Sequence, residues 1–379
     1  MKIVHLAQDE KFLPLARSLF EEAFPGANRY VVCSRPGHPP AFLKPDAQVR
    51  YRHALYFRLP WLMPELWDAD MVVVHAMTKH HAHALRGVRK STLVVWIGYG
   101  LDYYALLAQN IGGYWFPRTE ALLAQLNLRG GYESPAKMRI TKVADRIHAF
   151  SVNPSETAML RAALPQLQAT FHPLPSFTVE DTFAQGDADM DGPDVLLGQS
   201  ASPHNNHLDA FELLRDSLPA TSRLIVPLSY GNKRYADHVE QVGRDMFGDR
   251  FVPMRGWLPI SDYQQQIARC GFVVMNHRRQ KAVGNISSAL YRGAKVLLQR
   301  CNPLVGFFTE LGAVVFLVDD LATDPALAWQ PLTEAQRQAN RNAMVQRYGR
   351  ARVVARIRAL DGLRVQHQHP PQRPHQREV

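Results

Sequence analysis

Residues Glu180–Asp194 read EDTFAQGDADMDGPD, an acidic run rich in turn formers, and Val195-Leu196-Leu197-Gly198 follows it at once. So few apolar side chains in a row read as a linker rather than a packed element. On both sides of it, short β-branched runs alternate with longer helical patterns. Before it the strand candidates are Lys2–Ala7, Tyr30–Ser34, Met71–Ala76, Thr92–Ile97 and Ile147–Val152. After it they are Val195–Gly198, Arg223–Pro227, Phe251–Met254, Phe272–Asn276, Lys295–Gln299 and Val314–Val318. The runs are nearly continuous in hydrophobicity, as parallel strands buried on both faces require. Helical patterns at Phe12–Ala23, Ser155–Ala163, Asn206–Leu213, Tyr235–Met246, Ser261–Cys270 and Asn285–Tyr291 lie between them. The pattern predicts an α/β protein with two doubly wound, Rossmann-like domains and an interdomain cleft. The expected boundaries are 1–179, a linker at 180–194, a second domain at 195–330, a long C-terminal helix at 331–360 packing back toward the first domain, and a disordered tail at 361–379.

The chain has 379 residues, 44 Lys plus Arg against 34 Asp plus Glu, and a formal charge of +10. A basic balance favours phosphorylated or otherwise anionic partners. No recognisable nucleic-acid-binding motif is present, so nucleic acid is not an expected partner. Cys33, Cys270 and Cys301 are too scattered for a disulfide framework or a zinc site, which suits a reducing cytosol. No run approaches the roughly 20 apolar residues that a bilayer span needs. Any membrane contact is therefore expected to be peripheral. The basic, aromatic stretch from Val49 to Pro64 (VRYRHALYFRLPWLMP) suits a lipid interface, and equally a core.

In doubly wound sheets ligands bind beyond the carboxyl ends of the strands, so the strand-end motifs carry the chemistry. Trp96-Ile97-Gly98-Tyr99-Gly100-Leu101-Asp102-Tyr103-Tyr104 sits at one such junction. Asp102 there is either a general base toward an attacking hydroxyl or a cap on the next helix. His5 and His75 each end an apolar strand, as orienting groups, alternative bases or structural histidines. The loop Gly198-Gln199-Ser200-Ala201-Ser202-Pro203-His204-Asn205-Asn206-His207 follows the first strand of the second array and suits a diphosphate at a helix start. Asn276-His277-Arg278-Arg279-Gln280-Lys281-Ala282-Val283-Gly284-Asn285 places three cations between a strand and a helix N-terminus, a stronger anion site. Tyr230 and Trp257 are weaker choices for ribose or base contacts. Asp187-Ala188-Asp189-Met190-Asp191 has the Asp-x-Asp pattern of metal-dependent transferases, but it lies in the linker. His80, His81 and His83 lack accompanying carboxylate or cysteine spacing. Neither is read as a metal site, and no cofactor is expected.

The order of these motifs resembles the bacterial TDP-N-acetylfucosamine:lipid II N-acetylfucosaminyltransferase family (4-alpha-L-fucosyltransferase-like, glycosyltransferase family 56). The resemblance runs over roughly residues 1–320. His5 and His75 match the family's two strand-end histidines. Trp96, Gly100, Asp102 and Tyr104 match its Trp-x-x-Trp-Gly-x-Asp-x-Tyr motif, with Tyr99 in place of the second tryptophan. Gly198 and Ser200 match a Gly-Asn-Ser loop with Gln199 for asparagine, and Asn205 and His207 follow in step. Val226, Pro227 and Tyr230 match a Val-Pro-x-Gly-Tyr segment with Ser229 for glycine. Arg279, Gln280 and Gly284 match an Arg-Gln-x-x-x-Gly-Thr run with Asn285 for threonine, and Asn302-Pro303 matches a final pair.

The resemblance implies a GT-B fold and a metal-independent glycosyltransferase. It would move a deoxyamino sugar such as N-acetylfucosamine from a nucleoside diphosphate, dTDP in this family, to a polyprenyl-pyrophosphate-linked saccharide. The setting would be cell-surface polysaccharide synthesis of the enterobacterial common antigen type, on the cytoplasmic face of the bacterial inner membrane. The site residues expected on this reading are Asp102, His5 and His75 for catalysis. Gly198, Ser200, Asn205, His207, Tyr230, Trp257, Arg279, Gln280, Gly284 and Asn285 are expected at the donor, and Trp96, Tyr99, Gly100 and Tyr104 at the acceptor. A sugar-nucleotide epimerase of the same fold and a catalytically inactive sugar-nucleotide-binding protein are the rival readings.

Overall fold

The computed structural model describes residues 1–34, 37, 39–107, 113–128, 139–183, 189–256 and 260–369, without the side chains of 260 and 261. The described residues fall into two compact units, one within Met1–Leu107, Glu133–Phe177 and Arg350–Val379, the other within Ala108–Tyr132 and Thr178–Gly349.

The first unit is built on a seven-stranded, wholly parallel sheet. Its strands are β1 (Ile3–Gln8), β2 (Asn28–Ser34), β3 (Val49–His53), β4 (Met71–His75), β5 (Leu93–Ile97), β6 (Ala149–Ser151) and β7 (Thr170–Phe171), in the order β3-β2-β1-β4-β5-β6-β7. The register sets His5 beside Val73 and His75 beside Ile97. Every residue of β4 and β5 is buried, which is why these strands read as unbroken apolar runs. One core cluster packs Leu19, Phe20 and Ala23 of the helix Leu13–Ala23 against Met71, Val73 and Val95 of the sheet. Val353, Val354 and Ile357 of the helix Arg350–Arg358 complete it.

The second unit carries β8 (Val195–Leu197), β9 (Leu224–Pro227), β10 (Phe251–Met254), β11 (Phe272–Met275), β12 (Lys295–Leu298) and β13 (Phe316–Leu317). Their order is β10-β9-β8-β11-β12-β13, again all parallel. Its core gathers Phe211, Tyr235, Val239, Phe251, Phe272 and Val274.

In both sheets the strand order reverses once, between β1 and β4 in the first and between β8 and β11 in the second. Such a switch point leaves a crevice at the carboxyl ends of the two strands, because the following helices go to opposite faces.

Three expectations need correction. The described residues of 180–194 are not a free linker: Phe183 and Met190 are buried, as is Val179 just before, Met190 N–H donates to the Arg292 carbonyl, and the buried Asp194 pairs with Arg223 at 2.7 Å. Apolar residues spaced through an acidic run were enough to pack it into the second unit. The long C-terminal helix is present over 334–368 as three successive segments, Glu334–Tyr348, Arg350–Arg358 and Leu360–Gln368, with a break in helical geometry at Gly349 (φ −57°, ψ 131°). Helix therefore persists to Gln368 where a disordered tail from 361 was expected; residues 370–379 lie outside those described. Finally, the N-terminal boundary at 179 misses that the segment within Ala108–Tyr132 goes with the second unit.

Candidate active site

The carboxyl ends of β1, β4 and β5 bring His5, His75, Tyr99 and Asp102 together in the first unit. Asn28 starts their chain of contacts. Its amide nitrogen donates to the Phe20 and Phe24 carbonyls and to the Glu21 carboxylate, so its oxygen faces His5 Nε2 at 3.1 Å. An amide oxygen only accepts, so His5 carries its proton on Nε2 and offers a lone pair on Nδ1. His75 Nε2 lies 3.0 Å from that Nδ1 and must donate to it. His75 Nδ1 is then the acceptor, and the Tyr99 hydroxyl, 3.0 Å away, donates to it. The line runs one way, Tyr99 to His75 to His5 to Asn28, with both rings neutral. Burial pulls the His5 imidazole down to about 4 and holds His75 well below the ordinary histidine range, with the neighbouring His5 acting in the same sense. Tyr30 stacks on His5 at 4.2 Å between centroids. All four imidazole nitrogens are occupied, so the geometry makes His5 and His75 positioning groups rather than bases.

Asp102 is committed as well. One oxygen accepts the backbone N–H of Met77 (2.7 Å) and the indole N–H of Trp96 (2.8 Å), and the other accepts the N–H of Tyr99 (3.0 Å). Burial raises its carboxyl, and these donors hold it back down. The carboxylate thus ties the loop after β4 to the loop after β5, where Ala76 (φ 56°) and Gly100 (φ 94°) take left-handed backbone. Trp96 is fully buried, stacked on Phe150, and Tyr104 is buried too, so neither reaches an acceptor as expected. Tyr99 and Gly100 stay at the strand end. The helical histidines divide differently from a solvated helix start: His81 is buried and donates to the Ala76 carbonyl at 2.7 Å. Among the described residues no three His, Cys, Asp or Glu side chains group as metal ligands.

One residue at this edge escaped the sequence reading. Glu10, two positions beyond β1, is a half-buried carboxylate whose Oε1 is sealed from water with no hydrogen-bond partner. Burial pushes its carboxyl up to about 7. Its place directly after the first strand was visible from the sequence; its desolvation was not.

At the β8–β11 switch point of the second unit the chemistry reverses. Gly198 needs its φ of 69°, and a Cβ there would come 2.7 Å from Asn205 Oδ1. Asn205 is the organiser of the loop. Its oxygen accepts from Gln199 N–H at 3.1 Å and His277 Nε2 at 2.9 Å, and its nitrogen donates to the Ser200 and Ser202 carbonyls. Asn206 and Asn276 then exchange amide-to-carbonyl bonds, each 3.1 Å, and clamp the loop after β8 to the loop after β11. With Asn205 taking its Nε2 proton, His277 keeps a bare Nδ1 in the interior; His207, bonded to the Tyr235 hydroxyl through Nδ1, keeps a bare Nε2. Lys281 donates to Ser202 Oγ at 2.7 Å. Arg279 lies over the Tyr114 ring and Arg278 over the Phe116 ring.

The electrostatics of this cluster are one-signed. Burial depresses Lys281 to about 7, and Arg279 pushes the same way. Burial lowers His207 to about 3, and holds His204 and His277 far down, with Lys281 or Arg279 adding to each. The charges that act on these four groups, as far as they are given, are positive. A desolvated lysine and buried neutral imidazoles gathered beside two arginines suit an anionic ligand. The helix Val283–Tyr291 begins beside them, with Gly284 and the exposed Asn285 in its first turn and Gln280 half-buried before it. Tyr230 is 58% exposed, and its hydroxyl donates to Gln199 Oε1 at 3.2 Å. Ser200 and Asn205 are buried and serve the loop, not a ligand surface. Trp257 lies outside the described residues.

Comparison with known proteins agrees with this arrangement. Residues 167–344 match the family described as 4-alpha-L-fucosyltransferase, glycosyl transferase group 56. Over that stretch the chain is similar to the group 56 glycosyltransferases. The matched stretch contains the whole basic cluster. Similar solved structures include the UDP-forming α,α-trehalose-phosphate synthase of Burkholderia xenovorans, at a TM-score of 0.61 and 12% identity over 96% of this chain and 100% of that one. The sucrose-phosphate synthase of Thermosynechococcus elongatus scores 0.60 at 11% identity, over 96% and 98%. Anabaena HepE, solved with UDP and glucose, scores 0.57 at 15% identity, over 96% and 99%. At such identities the likeness establishes the fold, which is GT-B. The protein is a glycosyltransferase of that fold.

Proposed function

We propose that the protein transfers a deoxyamino sugar of the N-acetylfucosamine type from dTDP to a polyprenyl-pyrophosphate-linked saccharide, in cell-surface polysaccharide synthesis. The observation that carries this reading is the gathering of Arg279, Lys281, His204, His207 and His277 at the β8–β11 switch point. A leaving diphosphate gains negative charge as the sugar departs. Cationic side chains and a helix N-terminus stabilise it in place of a metal ion. The first unit then receives the acceptor at the strand ends that carry Glu10 and Tyr99.

The lipid-linked acceptor calls for a membrane face, and the segment after β3 offers one. Phe57, Met63 and Leu66 anchor it inside, while Trp61 (63% exposed), Trp67 (58%), Leu55 (52%) and Leu62 (46%) face outward. Arg50 and Arg58 are exposed in the same segment. Aromatic rings at headgroup depth beside guanidinium groups fit an anionic bilayer surface. Among the described residues no helix is long and apolar enough to cross a membrane, so this contact would be the protein's hold on the cytoplasmic leaflet.

Incubation with dTDP-linked 4-acetamido-4,6-dideoxygalactose tests the reading. Transfer to a short prenyl-diphosphate disaccharide, with dTDP released, is the expected result. An isomerised donor without acceptor would make the protein an epimerase, and binding without release would make it a sugar-nucleotide-binding protein. Sedimentation with phosphatidylglycerol vesicles should fall on Trp61→Ser with Trp67→Ser; unchanged sedimentation removes the membrane face.

A further inference from the structure

We propose that Glu10 is the general base of the transfer, taking the proton of the acceptor's attacking hydroxyl, with the Tyr99 oxygen as a fixed acceptor beside it. The assignment rests on the glycosyl-transfer reading above.

Three carboxylates stand at the carboxyl ends of β1 and β5, and two are spent on backbone. Asp9 accepts the N–H groups of Ala41 (2.5 Å), Phe42 (3.2 Å) and Leu43 (3.0 Å), which outweigh its desolvation and leave its carboxyl below the ordinary range. Asp102 accepts from Met77, Trp96 and Tyr99. Among the described residues, Glu10 receives the backbone N–H of Phe12, and its Oε1 has no partner. An unpartnered carboxylate oxygen at a strand end is costly, and a functional site is where such a cost is tolerated.

Its position is the switch point itself, in the turn between β1 and the helix Leu13–Ala23. In nucleotide-binding halves of this fold that turn cradles phosphate; an Asp9-Glu10 pair repels it. The charged groups around Glu10 are Asp9 and Lys11 from its own turn, and Tyr99 from the loop after β5, whose phenol is raised chiefly by burial and further by Glu10 and Asp102. Desolvation dominates, and a carboxyl lifted to about 7 is matched to proton abstraction near neutral pH. Tyr99 supports it because its own proton is committed to His75. Its oxygen therefore presents only lone pairs, and a substrate hydroxyl can donate to it or to Glu10 but cannot be offered a competing proton.

The step balances without a co-reactant. The acceptor oxygen forms a bond to the anomeric carbon while the carbon–oxygen bond to the diphosphate breaks. That electron pair leaves on the diphosphate, the hydroxyl proton passes to the carboxylate of the half-buried Glu10, and solvent takes it from there before the next turnover.

Two measurements on the full chain decide it. Carbon-13 titration of the glutamate side-chain carboxyls, with Glu10→Gln to identify the resonance, should give a Glu10 midpoint near 7. A midpoint near 4.3, the value of an unperturbed glutamate, overturns the assignment. Glu10→Gln should lower kcat roughly a hundred- to ten-thousandfold and remove the fall in kcat below about pH 7, while dTDP affinity measured by calorimetry stays within about twofold. Transfer by Glu10→Gln within about threefold of the unaltered protein, with the pH profile intact, overturns the role alone. If the unaltered protein binds dTDP and transfers nothing, the donor–acceptor reading fails and the role falls with it.

Discussion

The two units share a topology and oppose each other in charge. Each sheet reverses its strand order once, and each places its functional loops at that reversal. At the β1–β4 point the loops bear Asp9, Glu10 and, one strand on, Asp102. At the β8–β11 point they bear His204, His207, His277, Arg278, Arg279 and Lys281, and the cations among them push the buried imidazoles further down. Each edge also spends one side chain on architecture: Asp102 ties two loops in the first unit, Asn205 does so in the second. Topology decides where a ligand binds; the sign of the few side chains left unspent decides which ligand.

The architectural half of the comparison breaks first at Asp102. Asp102→Ala orphans the Trp96 indole and the Met77 and Tyr99 N–H groups in a buried site, and should cost about 3 kcal/mol in urea unfolding. Affinity for dTDP should not change. A stable variant that loses turnover instead would return Asp102 to a catalytic role.

The ligand half is sharper at Arg279. Hydrogen bonds to charged groups are worth about 1.5–3 kcal/mol, so Arg279→Ala should weaken dTDP about ten- to 150-fold in calorimetry. Equal affinity would mean the basic loop serves something other than the diphosphate.

Lys281 tests the sign of that loop more subtly. Its folded value of about 7 lies below the 10.5 of the free side chain, so between those values the unfolded chain holds more protons and stability rises with pH. A bound diphosphate supplies negative charge and raises the pKa. Binding near pH 8 should therefore take up to about one proton, read as a buffer-dependent calorimetric enthalpy. Lys281→Met should abolish both the uptake and the slope; persistent uptake would locate the titrating group elsewhere.

The continuous strands were legible because both of their faces are buried: β10 falls where the sequence puts it, and β1, β4, β5 and β11 differ only at their ends. The edge strand β3 was not, since Arg50, Tyr51 and Arg52 interrupt its apolar pattern. At the sites, residue types showed where charge would gather, and the Arg279–Lys281 loop was found that way. Which carboxylate is spent and which is spare depends on backbone N–H groups from loops distant in sequence, Ala41–Leu43 for Asp9 and Met77 for Asp102. That is why Asp102 looked like the base and Glu10 passed unnoticed.

The smallest effect belongs to Tyr99, where the two roles of one edge meet. Tyr99→Phe removes the proton donated to His75 Nδ1 and should cost about 1 kcal/mol of stability. The direction of the remaining line is fixed from its other end, by Asn28 Oδ1 accepting from His5, so His75 should stay protonated on Nε2. Nitrogen-15 correlation spectra of the histidine rings report this directly. A variant in which His75 moves its proton to Nδ1 would show that Tyr99, and not Asn28, sets the tautomers, and the one-way line from β5 to β2 would have to be drawn in reverse.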